Sequence, residues 1–582
     1  MYIMVPQHAL NNYYLLALYA YSFIFNGGIE RIRMFVRTKK NGNRVYLQVV
    51  ENQWIDGKSR QRVISTLGRL DVLEKSGSID GLLSSCARFS EKLGVLHASR
   101  SNRTTSKNIK IGPPMVFERL WKELGIRQAI EDLLGDRKFE FPVERAIFTT
   151  VLHRLFCSGS DRAAEKWKDF YRIAGASELQ LHHFYRAMAW LGEELPAGQQ
   201  GGATPFSPRC TKDRIEEQLF SQTGELFSGL EMVFFDTTSI YFEGAGGQTL
   251  GKHGNSKDHR PDLKQMVVGM VLDKEGTPLC CELWPGNTAD VRTLLPIIAR
   301  IKKRFAIQKV CIVADRGMIS AATINELESS PDVQYILGAR LRRVNEIKNE
   351  VLGRGGRFRE VYPERTDSKD PSPLKVKEVY IEDRRYIICI NEEQRRKDAA
   401  DRAAIVASLR DKLKQGGKSL VGNKGYRKYV KASKEQFTID EKRVKAEERF
   451  DGKWVLRTNG AFSPAETALQ YKQLWMVEDI FRSMKSILET RPIYHKCDET
   501  IRGHVFCSFL AVKLRKELQD RLAAKGWGDI EWNDAIRDLD NLHETEVEVS
   551  EKRFILREEC PGVSGKVFQA AGVALPPTIR LK

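Results

Sequence analysis

The stretch Tyr471-Lys-Gln-Leu-Trp-Met-Val-Glu478-Asp-Ile-Phe-Arg-Ser-Met-Lys485 decides how the rest of the chain is read. Tyr471, Leu474, Glu478 and Lys485 follow one another at three, four and seven residues. At about 3.6 residues per turn this spacing predicts a helix that stacks them on one stripe. The stripe offers a phenol, a carboxylate and an ammonium. Ser463, Pro464 and Glu466 supply an N-cap, a proline at the first helical position and an early acid, and Pro492 predicts a stop near Glu489. Trp475, Ile480, Phe481 and Ile487 are placed to line a core, so by itself the segment reads as an ordinary amphipathic helix. A functional reading needs partners for Glu478 elsewhere.

Two such partners stand upstream. Met232-Val-Phe-Phe235 reads as a strand ending in Asp236, followed by Thr237, Thr238 and Ser239, and residues 309–314 read as a buried strand ending in Asp315. Between them, residues 265–272 and 279–284 form two more strands joined through the turn Asp273-Lys-Glu-Gly276, giving an antiparallel meander. A helix over 291–305, another reaching Leu327 and a fifth strand at 334–339 complete an α/β pattern. If the first and fourth strands are neighbours, the two aspartates sit side by side and Glu478 closes the site from a packed helix. Singly, each aspartate reads equally well as an N-cap. Three carboxylates in a small volume repel one another unless hard cations neutralise them, and Mg²⁺ or Mn²⁺ suits oxygen ligands. Two such ions about 4 Å apart activate a nucleophile on one side of a phosphodiester and stabilise the leaving oxygen on the other.

Composition points the same way. The 582 residues carry 94 Lys plus Arg against 76 Asp plus Glu, a net charge of +18, which favours a polyanionic partner such as DNA. The ten cysteines form no CxxC pair and several lie in apolar runs, so neither a zinc site nor a disulfide frame is indicated. Residues 13–25 (YYLLALYAYSFIF) are too short to span a bilayer, so no membrane association is expected. Residues 1–33 read as a possible non-native or disordered extension, with Met34 as the functional start.

The segmentation that follows is a basic β unit with a linker over 34–111, expected to bind DNA ends, and a helical DNA-binding domain over 112–229. The first part of the core spans 230–339, an insertion 340–452, the second part of the core 453–525, and a tail 526–582. Lys252, Lys257 and Arg260 share the loop after Asp236 and read as DNA contacts. His253, His259 and His495 read as surface or DNA-contacting residues rather than metal ligands.

The order strand-Asp236-Thr-Thr-Ser, strand-Asp315-Arg-Gly-Met, long insertion and Tyr471-x2-Leu474-x3-Glu478-x6-Lys485 resembles the DDE transposases of bacterial insertion sequences. It is closest to the IS-four superfamily, whose signature is Y-x2-R-x3-E-x6-K. Residues 254–262, Pro285-Gly-Asn287 and Arg491-Pro-Ile-Tyr-His495 are also similar to family segments. The resemblance implies an RNase H-like core with a β-rich insertion before the last acid, and two Mg²⁺ ions (Mn²⁺ may substitute) held by Asp236, Asp315 and Glu478. It implies cleavage and strand transfer at terminal inverted repeats, a homodimer on DNA, and a cytoplasmic, nucleoid-associated bacterial protein. By the same matching, Tyr471 and Lys485 hold the DNA backbone. Leu474 stands where the signature has arginine, and Arg482 or Lys472 is placed to compensate. Some members form a hairpin with a base flipped onto an insertion-domain aromatic; Tyr380, Tyr426, Tyr429 and Trp454 are the candidates here. A chemically silent DNA-binding relative and a nuclease on the same fold are the competing readings.

Overall fold

The computed structural model describes residues 34–55, 58–86, 107–204, 207–222, 230–362, 373–414, 428–432, 437–549 and 552–582. The expectations for residues 1–33, for most of the linker before Lys107 and for Tyr426 lie outside these residues.

Met34–Asn41, Arg44–Ile55 and Lys58–Arg69 form a three-stranded antiparallel sheet. The basic stretch before Arg44 is itself strand, turning back through Gly42 at φ +58°, a conformation glycine adopts freely. Lys39, Lys40, Arg44, Arg60 and Arg62 stand exposed on this unit.

In the larger unit, a nine-stranded mixed sheet carries the α/β pattern. Its strands are β1 (Leu230–Tyr241), β2 (Gln265–Leu272), β3 (Pro278–Pro285), β4 (Lys309–Ala314), β5 (Val333–Gly338), β6 (Arg359–Val361), β7 (Leu374–Ile381), β8 (Arg384–Asn391) and β9 (Lys453–Thr458). They lie in the order β6-β7-β8-β9-β5-β4-β1-β2-β3. The β1–β2–β3 run is the expected antiparallel meander, whereas β4 pairs parallel with both β1 and β5. This arrangement is consistent with an RNase H-like fold. The strands of the 340–452 segment continue the same sheet, because β8 pairs with β9 and β9 with β5.

The sheet is covered on both faces, as parallel pairing requires. One face, carrying Val233, Phe235, Ile312 and Ala314, packs on the buried side of a helix at Leu294–Arg304. The other, carrying Phe234, Ile240, Cys311 and Val313, packs on the segment containing Leu474, Val477, Ile480 and Phe481. This second core runs on into the helical region. There α1 (Val143–Phe156), α2 (Asp161–Trp167), α3 (Leu181–Gly192) and α4 (Thr211–Ser221) precede the sheet. The long helix Asp498–Ala524 lies against α1 and α3. Its closest approach uses glycines from both helices: a β-carbon on Gly503 would collide with the Met188 carbonyl, and one on Gly192 with the Glu499 carbonyl.

The segment quoted first is helical but not one helix. Pro464–Lys472 opens with the expected capping box: the Ser463 hydroxyl accepts from the Glu466 amide (3.2 Å) and the Glu466 carboxylate from the Ser463 amide (2.7 Å). At Gln473 and Leu474 the bonding tightens, with Leu474 N donating to Tyr471 O and Val477 N to Leu474 O. A second helix, Trp475–Arg482, then runs into a π-type turn at Ser483–Ile487. Among the described residues, no helix is long and apolar enough to cross a membrane.

Candidate functional site

Register places the first two acids. The parallel ladder between β1 and β4 ends with Phe235 opposite Ala314, so Asp236 and Asp315 are the next residues along two hydrogen-bonded neighbours. Asp315 stands just past the end of β4, as expected, but β1 runs on to Tyr241 because it keeps pairing with β2. Asp236 is therefore inside a strand at the point where β4 leaves it. Side chains alternate across a sheet, so Asp236 shares a face with Phe234 and Asp315 with Val313, the face covered by the 464–488 segment.

That segment meets the acids directly. The Tyr471 hydroxyl donates to Asp315 Oδ1 at 3.0 Å, and burial beside Asp315 pushes the phenol's pKa far up, so it stays a donor. The contact depends on Gly338 at the end of β5, where a β-carbon would overlap the Tyr471 hydroxyl. Glu478 lies two turns further on, in a helix that runs over β1 and β2, and is exposed beside the buried Val477. The three acids do not close into a tight cluster: among the described residues, the group whose ligand atoms lie within 4.8 Å of one another is Asp161, His495 and His504. An acid set without its counter-ions is expected to stand open, and ligand atoms on the outer sides of two ions about 4 Å apart are farther from one another than such a single-ion cluster allows.

Burial pushes the Asp236 carboxyl up to about 6; the Lys257 charge and the Thr237 amide, which donates to Oδ1 at 2.7 Å, pull it down, and Asp315 and Asp290 push it up further. The presence of Asp290 was not foreseen. It sits in the short 3-10 turn Asp290–Arg292, where it accepts from the Thr237 hydroxyl (2.8 Å) and pairs with Lys257 Nζ (3.3 Å). Its only signal in the sequence was position, five residues past Pro285 and its Gly-Asn turn. Oxygen donors crowded with net negative charge fit a hard divalent cation better than any neutral ligand.

Of the expected DNA contacts, Lys257 stands close enough to Asp236 to lower its pKa. Lys257 is exposed, yet its ammonium donates to Thr237 O at 2.6 Å and its amide to Ser239 Oγ at 2.7 Å. Lys485 lies in the π-type turn and pairs with Asp258 (2.8 Å), which Arg491 also engages; burial lowers the Lys485 pKa. Arg260 pairs with Asp262 at 2.9 Å and lies over the Tyr241 ring. Arg482 is exposed and pairs with Asp479, and Lys252 is exposed at its side chain while its backbone bridges Gln265.

Three expectations change. Leu474 is buried in the core with Val477 and Phe481, so this position faces inward and not toward a phosphate. Trp475 is 53 % exposed instead of lining the core, because the buried stripe runs Leu474, Val477, Phe481, Met484 and leaves Trp475 on the face of Asp479 and Arg482. Of the insertion aromatics, Tyr429 is buried and Trp454 packs against the core, whereas Tyr380 is 54 % exposed.

His495 is not on the surface. Its Nε2 lies 3.5 Å from Asp161 and 3.1 Å from His504 Nδ1, and Arg154 Nη2 lies 2.9 Å from the same His504 nitrogen. His504 Nε2 lies 3.1 Å from Thr490 O, so that nitrogen carries the proton and Nδ1 accepts. A guanidinium already fills the lone pair a metal would need, and the group ties α1 and α2 to the chain beyond Glu478.

Residues 228–512 match the transposase DDE domain, and residues 33–100 match the N-terminal domain of the IS1634 family transposase. No curated protein matches the chain. The first match begins two residues before β1 and ends within the Asp498–Ala524 helix, so it encloses all three acids, Asp290 and Tyr471. DDE transposases are phosphoryl-transfer enzymes that act on DNA and in general use divalent metal ions. The chain belongs to the DDE transposases of insertion sequences.

Proposed function

We propose that the protein is a cut-and-paste transposase of the YREK type that binds the terminal inverted repeats of its element, cleaves them and joins the freed ends to target DNA. The observation that carries this reading is the β1–β4 register: it makes Asp236 and Asp315 neighbours on the face to which Tyr471 brings the Glu478 helix. Asp236, Asp315 and Glu478 would hold two Mg²⁺ ions, with Mn²⁺ as a substitute. When bound, the ions supply charge neutralisation and activation of a water or a DNA 3′-hydroxyl for in-line attack on phosphorus. The chain's own residues do the rest. Tyr471 fixes Asp315, the buried side of the Trp475–Arg482 helix holds Glu478 above β1, and Lys485, Arg482, Lys252, Lys257 and Arg260 offer charge to the DNA backbone. Two ends must be handled together, which calls for a homodimer on DNA.

The test is incubation of the full chain with end-sequence DNA and Mg²⁺. Cleavage of the ends is expected, with Glu478→Ala reducing it by more than about a hundredfold while end binding persists. Cleavage that survives this substitution would remove Glu478 from the site, and cleavage without joining of pre-cut ends would favour a nuclease.

A further inference from the structure

Lys257 holds an unusual place for a residue expected to meet DNA. Its ammonium donates to Thr237 O (2.6 Å) and Thr237 Oγ1 (3.1 Å) and pairs with Asp290 Oδ2 (3.3 Å), while Thr237 Oγ1 donates to Asp290 Oδ1 (2.8 Å). The three side chains thus form a closed triangle of two hydrogen bonds and one ion pair immediately after Asp236. Its base is rigid: Thr237 is 2 % exposed in the sheet, and the Lys257 amide is tied to Ser239, which is 1 % exposed. Asp290 leans toward the second acid as well. A point one bond out from the Gly317 α-carbon lies 3.8 Å from Asp290 Oδ2 and 3.9 Å from Asp315 Oδ2. The Lys257 ammonium therefore pairs with Asp290 and stands close enough to Asp236 to lower its pKa, on a long stem that is exposed and able to swing away.

We propose that Asp290 is a positioning residue that docks Lys257 as the resident counter-ion of the acid site, and that a divalent ion must displace the influence of this ammonium in order to bind. Asp290 holds the lysine on the Thr237 side of β1, away from the face that Asp236 and Asp315 share with Tyr471. Without Asp290, the ammonium turns onto the aspartates themselves and blocks them. On loading, the lysine is released from its dock and its charge becomes available to a DNA phosphate. Entry of the ion and grip on the DNA strand are thereby linked through a single side chain.

This inference rests on the assignment of Asp236 and Asp315 as the ion-binding acids, and the experiment separates the two. Mn²⁺ is titrated into the full chain without DNA, followed by calorimetry. Lys257→Met is expected to bind Mn²⁺ roughly tenfold tighter than the unsubstituted protein, since a unit charge several ångströms from a divalent ion is removed. Lys257→Arg, which keeps the charge, is expected to stay close to the unsubstituted value. Asp290→Asn is expected to weaken binding, and to weaken it less when Lys257 is already methionine, because the dock then has nothing to hold. Unchanged or weaker binding by Lys257→Met would overturn the inference, as would equal effects of Asp290→Asn in both backgrounds. Mn²⁺ binding that survives Asp236→Asn with Asp315→Asn would overturn the site assignment instead.

Discussion

Gly338 shows how a residue without a side chain can set the geometry of a site. The Tyr471 hydroxyl occupies the space a β-carbon would need, and it is the tie between the last helix and Asp315. Gly338→Ala is expected to fold, since its backbone is ordinary strand, but to dislodge the phenol. Tyr471→Phe keeps the ring and removes only the hydrogen bond. Both are expected to lower end cleavage about tenfold or more, with a change in melting temperature of only a few degrees, measured by cleavage assay beside thermal unfolding. At this scale the sequence was readable where a residue sat in a repeating pattern. Asp236 and Asp315 each followed an apolar run, although only Asp315 stands at a strand end, and Glu478 lay on a helical stripe. Asp290 followed no period, being in a single 3-10 turn, and Lys257 could be placed near the acids but not aimed. Trp475 is expected in the core with Ile480 and Phe481, but the buried stripe is the neighbouring one of Leu474, Val477, Phe481 and Met484.

Elements are joined here by buried polar groups as much as by apolar packing. Lys212, Arg300 and Arg304 face Asp213, Glu216 and Glu282, three cations and three anions, all buried between α4, β3 and the Leu294–Arg304 helix. Glu282 accepts from Arg300 Nε (2.6 Å), Arg304 Nη1 (2.9 Å) and the Ser207 hydroxyl (2.9 Å). Glu282→Ala leaves two guanidiniums short of a partner and is expected to cost about 3–5 kcal/mol in denaturant unfolding. Two histidines, His153 on α1 and His504 on the Asp498–Ala524 helix, give a pH dependence of definite sign. Burial, reinforced by Arg154, pushes His153 down to about 4 and His504 well below its ordinary 6.5. The unfolded chain takes up these protons near pH 6.5 while the folded chain does not, so stability is full above that pH and is lost as pH falls toward 4. His153→Phe is expected to recover up to about 3 kcal/mol of that loss between pH 7 and pH 4, read as a shallower fall in melting temperature. None of these clusters could be paired from sequence: Lys212, Asp213 and Glu216 share one helix and Arg300 and Arg304 another, but those two helices and Glu282 are separated along the chain by segments that carry no common period.

For the whole molecule, charge and sheet order are the informative quantities. A net +18 with exposed cations on the small N-terminal sheet predicts end binding that weakens roughly a thousandfold between about 50 and 200 mM salt, measurable by fluorescence anisotropy. The α/β order and the meander followed from apolar runs and the Asp273–Gly276 turn. The extent of the sheet did not, since β6 to β8 lie in a charged segment and show their membership only through pairing with β9. That pairing has a temporal meaning. A growing polypeptide that has emerged as far as β5 already displays both aspartates, yet β9 and the glutamate-bearing helix are still more than a hundred codons away. If Glu478 completes the ion site as proposed, that site cannot close until synthesis has passed β9, and a shorter nascent chain holds only its two aspartates.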